Sequence, residues 1–368
     1  MTDILTREQI DQRIAARRTD QATGSDGDAT TVHGGAEEPD QSPSPLVGDP
    51  APVYRHIRPP GETAETMMAV FQNPGGRWQF GIPKLDAMAR GVGNGEFMIV
   101  TGAPHGGKSQ IALTGVMNNP EARVLIFTPD EVAELVLAKL LAMTFNRDSE
   151  ELEMKIKAAD PDTLRLVREA VSTIYRNLLV VDSSLTLVEM NEAIVEAREF
   201  WGGENADCVI VDYLELLPGE GGPQGVASKA QELKRWTKAA DVPMICIHQA
   251  KTTLARGEPH GLEALRYAGA AEAIFVVEVF RKKDSEKASA DERLANANTI
   301  SFNVAKNKRP PCKTGQHDLF IDPKTGFVRE SKAGDEHAHQ ATANTQLDEI
   351  QRQQSQRAAL AGTQMGAF

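Results

Sequence analysis

An α/β fold with a mainly parallel sheet between helices is the class this chain predicts, on three observations. Short apolar, β-branched runs alternate with segments of helical spacing, the pattern of a parallel sheet covered on both faces. One run, Phe97-Met98-Ile99-Val100-Thr101, passes through a glycine-rich turn into the helix-spaced stretch Gln110–Met117. Polar stretches that cannot build a core are confined to the two ends.

The elements follow in order. Residues 1–50 hold one polar helical stretch near Arg7 to Arg18 and then a tract rich in Gly, Asp, Ser and Pro, read as a disordered arm. Residues 51–77 read as a linker. The candidate strands are Phe97–Thr101, Val124–Thr128, Leu178–Asp182, Cys208–Asp212, Met244–His248 and Ala273–Val279. The helical patterns between them are Val132–Phe145, Pro161–Arg176, Leu187–Phe200 and Ser228–Ala240. Thr299–Ala305 and Asp318–Ile321 predict a late β-hairpin that closes a domain over 78–330. Residues 331–368, rich in Gln, Ala and Thr, read as a disordered polar tail with a possible helix at 347–360. No internal repeat is evident.

Composition narrows the function. A hydrophobic content of 40% in 368 residues supports a real core, and a net charge of −12 advertises no bulk attraction to nucleic acid. A local basic lining can still sit on an acidic body. Cys208, Cys246 and Cys312 lack metal-ligand spacing and read as buried thiols in a reducing compartment. With no signal peptide and no apolar segment of membrane length, the expectation is a cytoplasmic protein without membrane contact.

Gly102-Ala103-Pro104-His105-Gly106-Gly107-Lys108-Ser109 is a complete G-x-x-x-x-G-K-[ST] phosphate-binding loop (Walker A) in its strand–loop–helix setting. The glycines let backbone N–H groups converge on phosphate oxygens, and the helix amino end adds its dipole. Lys108 is expected to reach the β- and γ-phosphates, and Ser109 to take a place on Mg²⁺, which makes Mg-ATP the expected cofactor.

Cys208-Val209-Ile210-Val211-Asp212 is an apolar run ending in a carboxylate, which suits Asp212 as a second Mg²⁺ contact. The turn Thr128-Pro129-Asp130-Glu131 offers two carboxylates to polarise the attacking water. As neighbours they cannot point the same way, and side-chain reach favours Glu131. His248-Gln249 closes the fifth strand, where Gln249 can sense a γ-phosphate. Lys306, Lys308 and Arg309 form a basic cluster that reads either as a solvated charge run or as a cationic finger for a neighbouring subunit's ATP. The segments 218–225 and 251–261 read as mobile loops, with Lys251 and Arg256 as candidate contacts to a single-stranded DNA backbone, sequence-tolerant and salt-sensitive.

These residues resemble the RecA-like P-loop NTPases, and within them the DnaB-type replicative helicase core. Phe80-Gly81-Ile82-Pro83-Lys84-Leu85-Asp86 looks like that family's lead-in turn, and Val209–Leu217 is close to its second motif. Leu233–Pro243 followed by His248-Gln249 is similar to its third. The resemblance spans about residues 78 to 330. It implies a homohexameric ring with ATP between subunits and single-stranded DNA in the channel. It places Asp130 where the helicases carry a catalytic glutamate, and Lys306 and Lys308 where they carry a Lys and an Arg finger. The Asp130-Glu131 pair and Lys308 beside Arg309 depart from that pattern.

Lys306-Asn307-Lys308 and Ala264-Leu265-Arg266-Tyr267-Ala268 also look like RecA-type recombinases, which form filaments on single-stranded DNA rather than rings. Three functions are therefore carried forward. The first is an ATP-driven DNA motor acting in replication, and the second a recombinase filament. The third is a non-motor, nucleotide-dependent scaffold or loader. Contacts with replication or recombination proteins are assigned to the tails.

Overall fold

The computed structural model describes residues 60–72, 76–220, 222–250, 254–265, 271–333 and 335. The expected arm at 1–50, residues 51–59 and 73–75 of the linker, Lys251 and the tail beyond 335 with its expected helix lie outside the described residues. The chain divides into two units. One is Thr6–Gly75, whose described part is the helix α1 (Pro60–Gln72). The other, from Gly76 onward, holds the sheet.

In that second unit α2 (Pro83–Ala89) precedes β1 (Phe97–Gly102), which leads into α3 (Lys108–Asn118). Then come β2 (Val124–Phe127), α4 (Ala133–Phe145), α5 (Ser149–Lys157), α6 (Pro161–Thr173), β3 (Leu178–Val181) and α7 (Leu187–Phe200). β4 (Cys208–Val211) is followed by a 3-10 turn, Leu214–Leu216, and by α8 (Gly222–Ala240). β5 (Met244–Gln249), β6 (Phe275–Phe280), α9 (Ala290–Ala295), β7 (Thr299–Asn307), β8 (Gly315–Ile321) and β9 (Val328–Glu330) complete it.

The sheet runs β3-β2-β4-β5-β1-β6-β7-β8-β9. Its first six strands are parallel, and β6 to β9 pair antiparallel. Both faces are buried. Ile111, Val116, Leu140 and Leu152 of α3 to α5 cover one face, and Met190, Ile194, Leu233 and Trp236 of α7 and α8 cover the other. Two-sided burial is why strands such as Val-Leu-Ile-Phe in β2 carry no polar residue. Cys208 of β4 and Cys246 of β5 are buried as expected, whereas Cys312 is exposed, because it lies in the turn between β7 and β8 rather than in a covered strand.

Local chemistry sets the boundaries. Thr186 and Glu189 form a reciprocal capping box at the start of α7, and Ser289 and Glu292 repeat it at α9. Asp160 caps α6 ahead of Pro161. Asp148 accepts from the amides of Glu150 and Glu151 and so opens α5, which the sequence reading did not anticipate. The expected loop at 218–225 is shorter than read: α8 begins at Gly222, not Ser228. A proline as second residue, Pro223, suits a helix start rather than a loop. Among the described residues no helix is long and apolar enough to cross a membrane.

Candidate active site

The parallel strands present their carboxyl ends along one edge, where ligands of open α/β sheets bind. An open cavity of about 680 Å³ lies there. Residues after β1 (Pro104, His105, Lys108, Ser109), β2 (Asp130, Glu131), β4 (Asp212) and β6 (Arg281) line it, as does Gln249 at the end of β5. The sequence-read phosphate loop, both candidate carboxylates, Asp212 and Gln249 thus share one cavity.

The phosphate loop depends on its glycines for room. A Cβ on Gly102 would stand 2.1 Å from the Val279 carbonyl oxygen, so only glycine lets the loop leave β1 this close to β6. Gly107, at φ 96°, is the residue just before α3, and a Cβ there would meet the Ile300 side chain at 2.2 Å. Gly106 donates its N–H to the Ala103 carbonyl at 3.1 Å, closing the curl.

Two contacts arrange the polar core of the site. The Ser109 hydroxyl donates to Asp212 Oδ2 at 2.6 Å, and Lys108 Nζ donates to the Ala103 carbonyl at 2.8 Å. Burial pulls the Lys108 ammonium below its ordinary pKa, against the opposing charges of Asp212, Glu215 and Asp130. Burial likewise raises the Asp212 carboxyl, countered by the Ser109 hydrogen bond and the Lys108 charge. A hydroxyl and a carboxylate so placed are hard oxygen donors that fit Mg²⁺, which takes one or two protein ligands and completes its shell from phosphate and water. Among the described residues no cluster of three or more His, Cys, Asp or Glu is placed to hold a metal ion.

The neighbouring carboxylates have different surroundings. Glu131 is paired with Lys139 of α4, whereas Asp130 is exposed at the cavity with no ion pair among the described residues. Gln249 is held from behind, its backbone N–H donating to Glu215 Oε1 at 3.0 Å.

The basic cluster lies elsewhere. β7 runs antiparallel to β6, so Lys306 pairs with Val276 near the start of β6 while Ser301 pairs with Phe280 at its end. Lys306 is therefore on the order of 16 Å along the strand from the edge that bears the cavity. Lys306 and Lys308 both donate to the Ala271 carbonyl, at 3.3 and 3.1 Å. Arg309 takes a different place from that expected of a finger. It is paired with Glu96 and donates to the Gly91 carbonyl at 2.5 Å, with its side chain 10% exposed. Burial lowers its pKa to about 10. All of these contacts lie within its own subunit.

The described part of the second loop, 254–265, is tethered rather than free. Ala250 and Leu265 bridge its ends, Glu258 pairs with Lys287 at 2.8 Å, and the His260 ring bonds the Ala255 carbonyl at 2.7 Å. Arg256 is exposed on it. Sequence reasoning missed Gln110, Lys139, Tyr213 and Arg281, which also line the cavity. Arg281 had one signal, as the first cation after the last parallel strand.

A family model described as the DnaB-like helicase C terminal domain matches residues 78–327. The replicative DNA helicase DnaB of Geobacillus stearothermophilus is 22% identical over 266 residues, covering 70% of this chain and 57% of that protein. That of Rickettsia bellii is 26% identical over 281 residues, covering 66% and 55%. The chain thus spans a little over half the length of these relatives. Among solved structures, a DnaB-like replicative helicase described with its primase interactions superposes with a TM-score of 0.60 at 16% identity, covering 88% of this chain and 72% of that one. A second solved structure, described as an ATPase domain, gives 0.59 at 18% identity, covering 74% and 98%. At these identities the structural likeness speaks for the fold alone. Carried by the match over residues 78–327, the chain belongs to the family of the DnaB-like helicase C-terminal domain.

Proposed function

We propose that this chain is the ATP-hydrolysing motor core of a replicative DNA helicase, working as a ring of identical subunits, hexameric as the family resemblance implies, around single-stranded DNA. The observation that carries the reading is the separation of the two halves of the site. Lys108, Ser109, Asp212 and Gln249 gather at one edge of the sheet, while Lys306 and Lys308 lie at the opposite edge. One subunit cannot bring both halves to one nucleotide, but a neighbour in a head-to-tail assembly can. A trans cation of this kind stabilises charge as the γ-phosphoryl departs.

Each residue then has a task. The phosphate-loop amides and Lys108 bind and orient the phosphates. Ser109 and Asp212 would hold Mg²⁺, which when bound would offset the charge of the phosphates. Asp130 orients the attacking water, a role its neighbour Glu131 is less able to play while paired with Lys139. Gln249 reports the γ-phosphate, and Arg256 with Lys251 holds the DNA backbone. Such a motor works in the cytoplasm, where replicating DNA and ATP meet, and its tails are the sites for replication partners.

The test is ATP hydrolysis with and without single-stranded DNA, followed by strand separation on a forked duplex. Severalfold stimulation and nucleotide-dependent unwinding are expected. Hydrolysis indifferent to DNA overturns the motor reading in favour of a scaffold. Electron microscopy with nucleotide and DNA separates ring from filament, and filaments would favour the recombinase reading.

A further inference from the structure

A row of polar side chains crosses the core of the sheet, directly beneath the cavity. Thr101 of β1 pairs in register with His248 of β5 on one side and Glu278 of β6 on the other, and Glu278 pairs in turn with Asn303 of β7. Thr101 and His248 are wholly buried and Glu278 is 3% exposed. Strand alternation puts the three on one face, with Ile99, Cys246 and Val276 two residues away from each in the core packed under α7 and α8.

The row has contacts at both ends. Toward the nucleotide, His248 Nδ1 bonds the Thr101 hydroxyl at 3.2 Å, and its Nε2 lies 3.5 Å from Glu215 Oε1. The same Glu215 oxygen accepts the Gln249 N–H. Toward the 254–265 loop, the Glu278 carboxylate accepts the His260 N–H at 2.8 and 2.9 Å and the Gly261 N–H at 2.8 Å. Asn303 adds a longer contact at 3.4 Å. Among the described residues no cation pairs with Glu278. A carboxylate is costly to bury, and here backbone amides of one surface loop satisfy it. A hydrophobic residue would complete the strand without that cost, so the arrangement calls for a role in placing the loop.

We propose that Glu278 is a positioning residue for DNA-stimulated hydrolysis. By clamping His260 and Gly261 it fixes the loop that carries Arg256, and through its place beside Thr101 and His248 it ties that loop to the Gln249 tip. A shift of the tip when the γ-phosphate leaves is then felt at the DNA-facing loop, and DNA held by the loop biases the tip. The inference rests on the DNA-motor reading and names how its two sites communicate.

The experiment compares wild type with Glu278→Leu and Glu278→Gln, at full length, in steady-state ATP hydrolysis titrated with single-stranded oligonucleotide. Basal hydrolysis without DNA and the KM for ATP are expected to stay near wild type. The oligonucleotide concentration for half-maximal stimulation should rise roughly tenfold in Glu278→Leu, the factor carried by a lost hydrogen bond to a charged group. Glu278→Gln, which keeps one acceptor oxygen, should show a smaller rise and serves alone if the Leu variant does not fold. Hydrogen exchange should quicken at the His260 and Gly261 amides in both. Basal and stimulated rates falling together, or an unchanged DNA titration, would overturn the proposal while leaving the motor intact. A wild type without DNA stimulation overturns the motor reading and this inference with it.

Discussion

The Ser109 hydroxyl and Asp212 Oδ2 meet at 2.6 Å, joining the first turn of α3 to the tip of β4 across the floor of the cavity. Their partnership makes a separable prediction. Asp212→Asn keeps the shape and the hydrogen bond but removes the charge, so nucleotide binding should survive while hydrolysis falls roughly a hundredfold or more. Lys108→Ala should lower both, because the ammonium acts on the phosphates in the bound state as well. Fluorescent-nucleotide titration beside phosphate release measures the difference, and Asp212→Asn hydrolysing at the wild-type rate would remove Asp212 from the site.

The distance of Lys306 and Lys308 from their own cavity predicts a particular form of poisoning. When Lys308→Ala subunits are mixed with wild type, each mutant subunit should disable the site of its neighbour and leave its own competent. Hydrolysis should then fall out of proportion to the mutant fraction if sites fire in sequence, and Lys108→Ala/Lys308→Ala co-mixtures should regain sites that neither single variant supports. A strictly proportional loss, with no recovery in co-mixtures, would assign Lys308 a role within its own subunit.

Arg309 should behave differently from Lys308 although the two are adjacent. Glu96 would keep Arg77 as a partner at 2.5 Å if Arg309 were removed, so the charge is not orphaned but the packing is lost. Arg309→Ala should cost about 1–3 kcal/mol of stability, read by urea unfolding, with hydrolysis per folded molecule retained. Wild-type stability with abolished hydrolysis would restore Arg309 to the list of fingers.

The contrast among these residues explains what the sequence could disclose. Strands such as Val124–Phe127 are legible because burial on two faces leaves no alternative to apolar residues, whereas β9, Val328–Glu330, is too short for any pattern to register. The phosphate loop is legible because its chemistry resides in the backbone, which forces glycine at fixed spacing. Arg309 is not, since its partner Glu96 stands 213 residues away and only the folded sheet brings them together. Arg281 carries only a weak signal for the opposite reason: a single cation after a strand reads as solvated until the cavity beside it is seen. The 254–265 loop looks mobile from its glycines, and the buried carboxylate that holds it sits inside an otherwise apolar strand.

Asp86 supplies a test that depends on pH. Its carboxyl is pushed up from 3.8 to about 6, chiefly by burial, with the backbone N–H groups of Phe80, Gly81 and Ile82 pulling the other way. The native state therefore takes up the proton at a higher pH than the unfolded chain does. Between about 4 and 6 the folded protein binds more protons, so stability from this group is greatest in acid and declines as pH rises through that window. Asp86→Asn removes the titration. Its stability relative to wild type should accordingly climb from pH 4 to pH 6 and level off above, whatever the constant offset from the lost acceptor. Urea unfolding of both proteins at a series of pH values measures the slope. A difference that is flat or falls over that interval would mean that the three amides, not burial, govern Asp86.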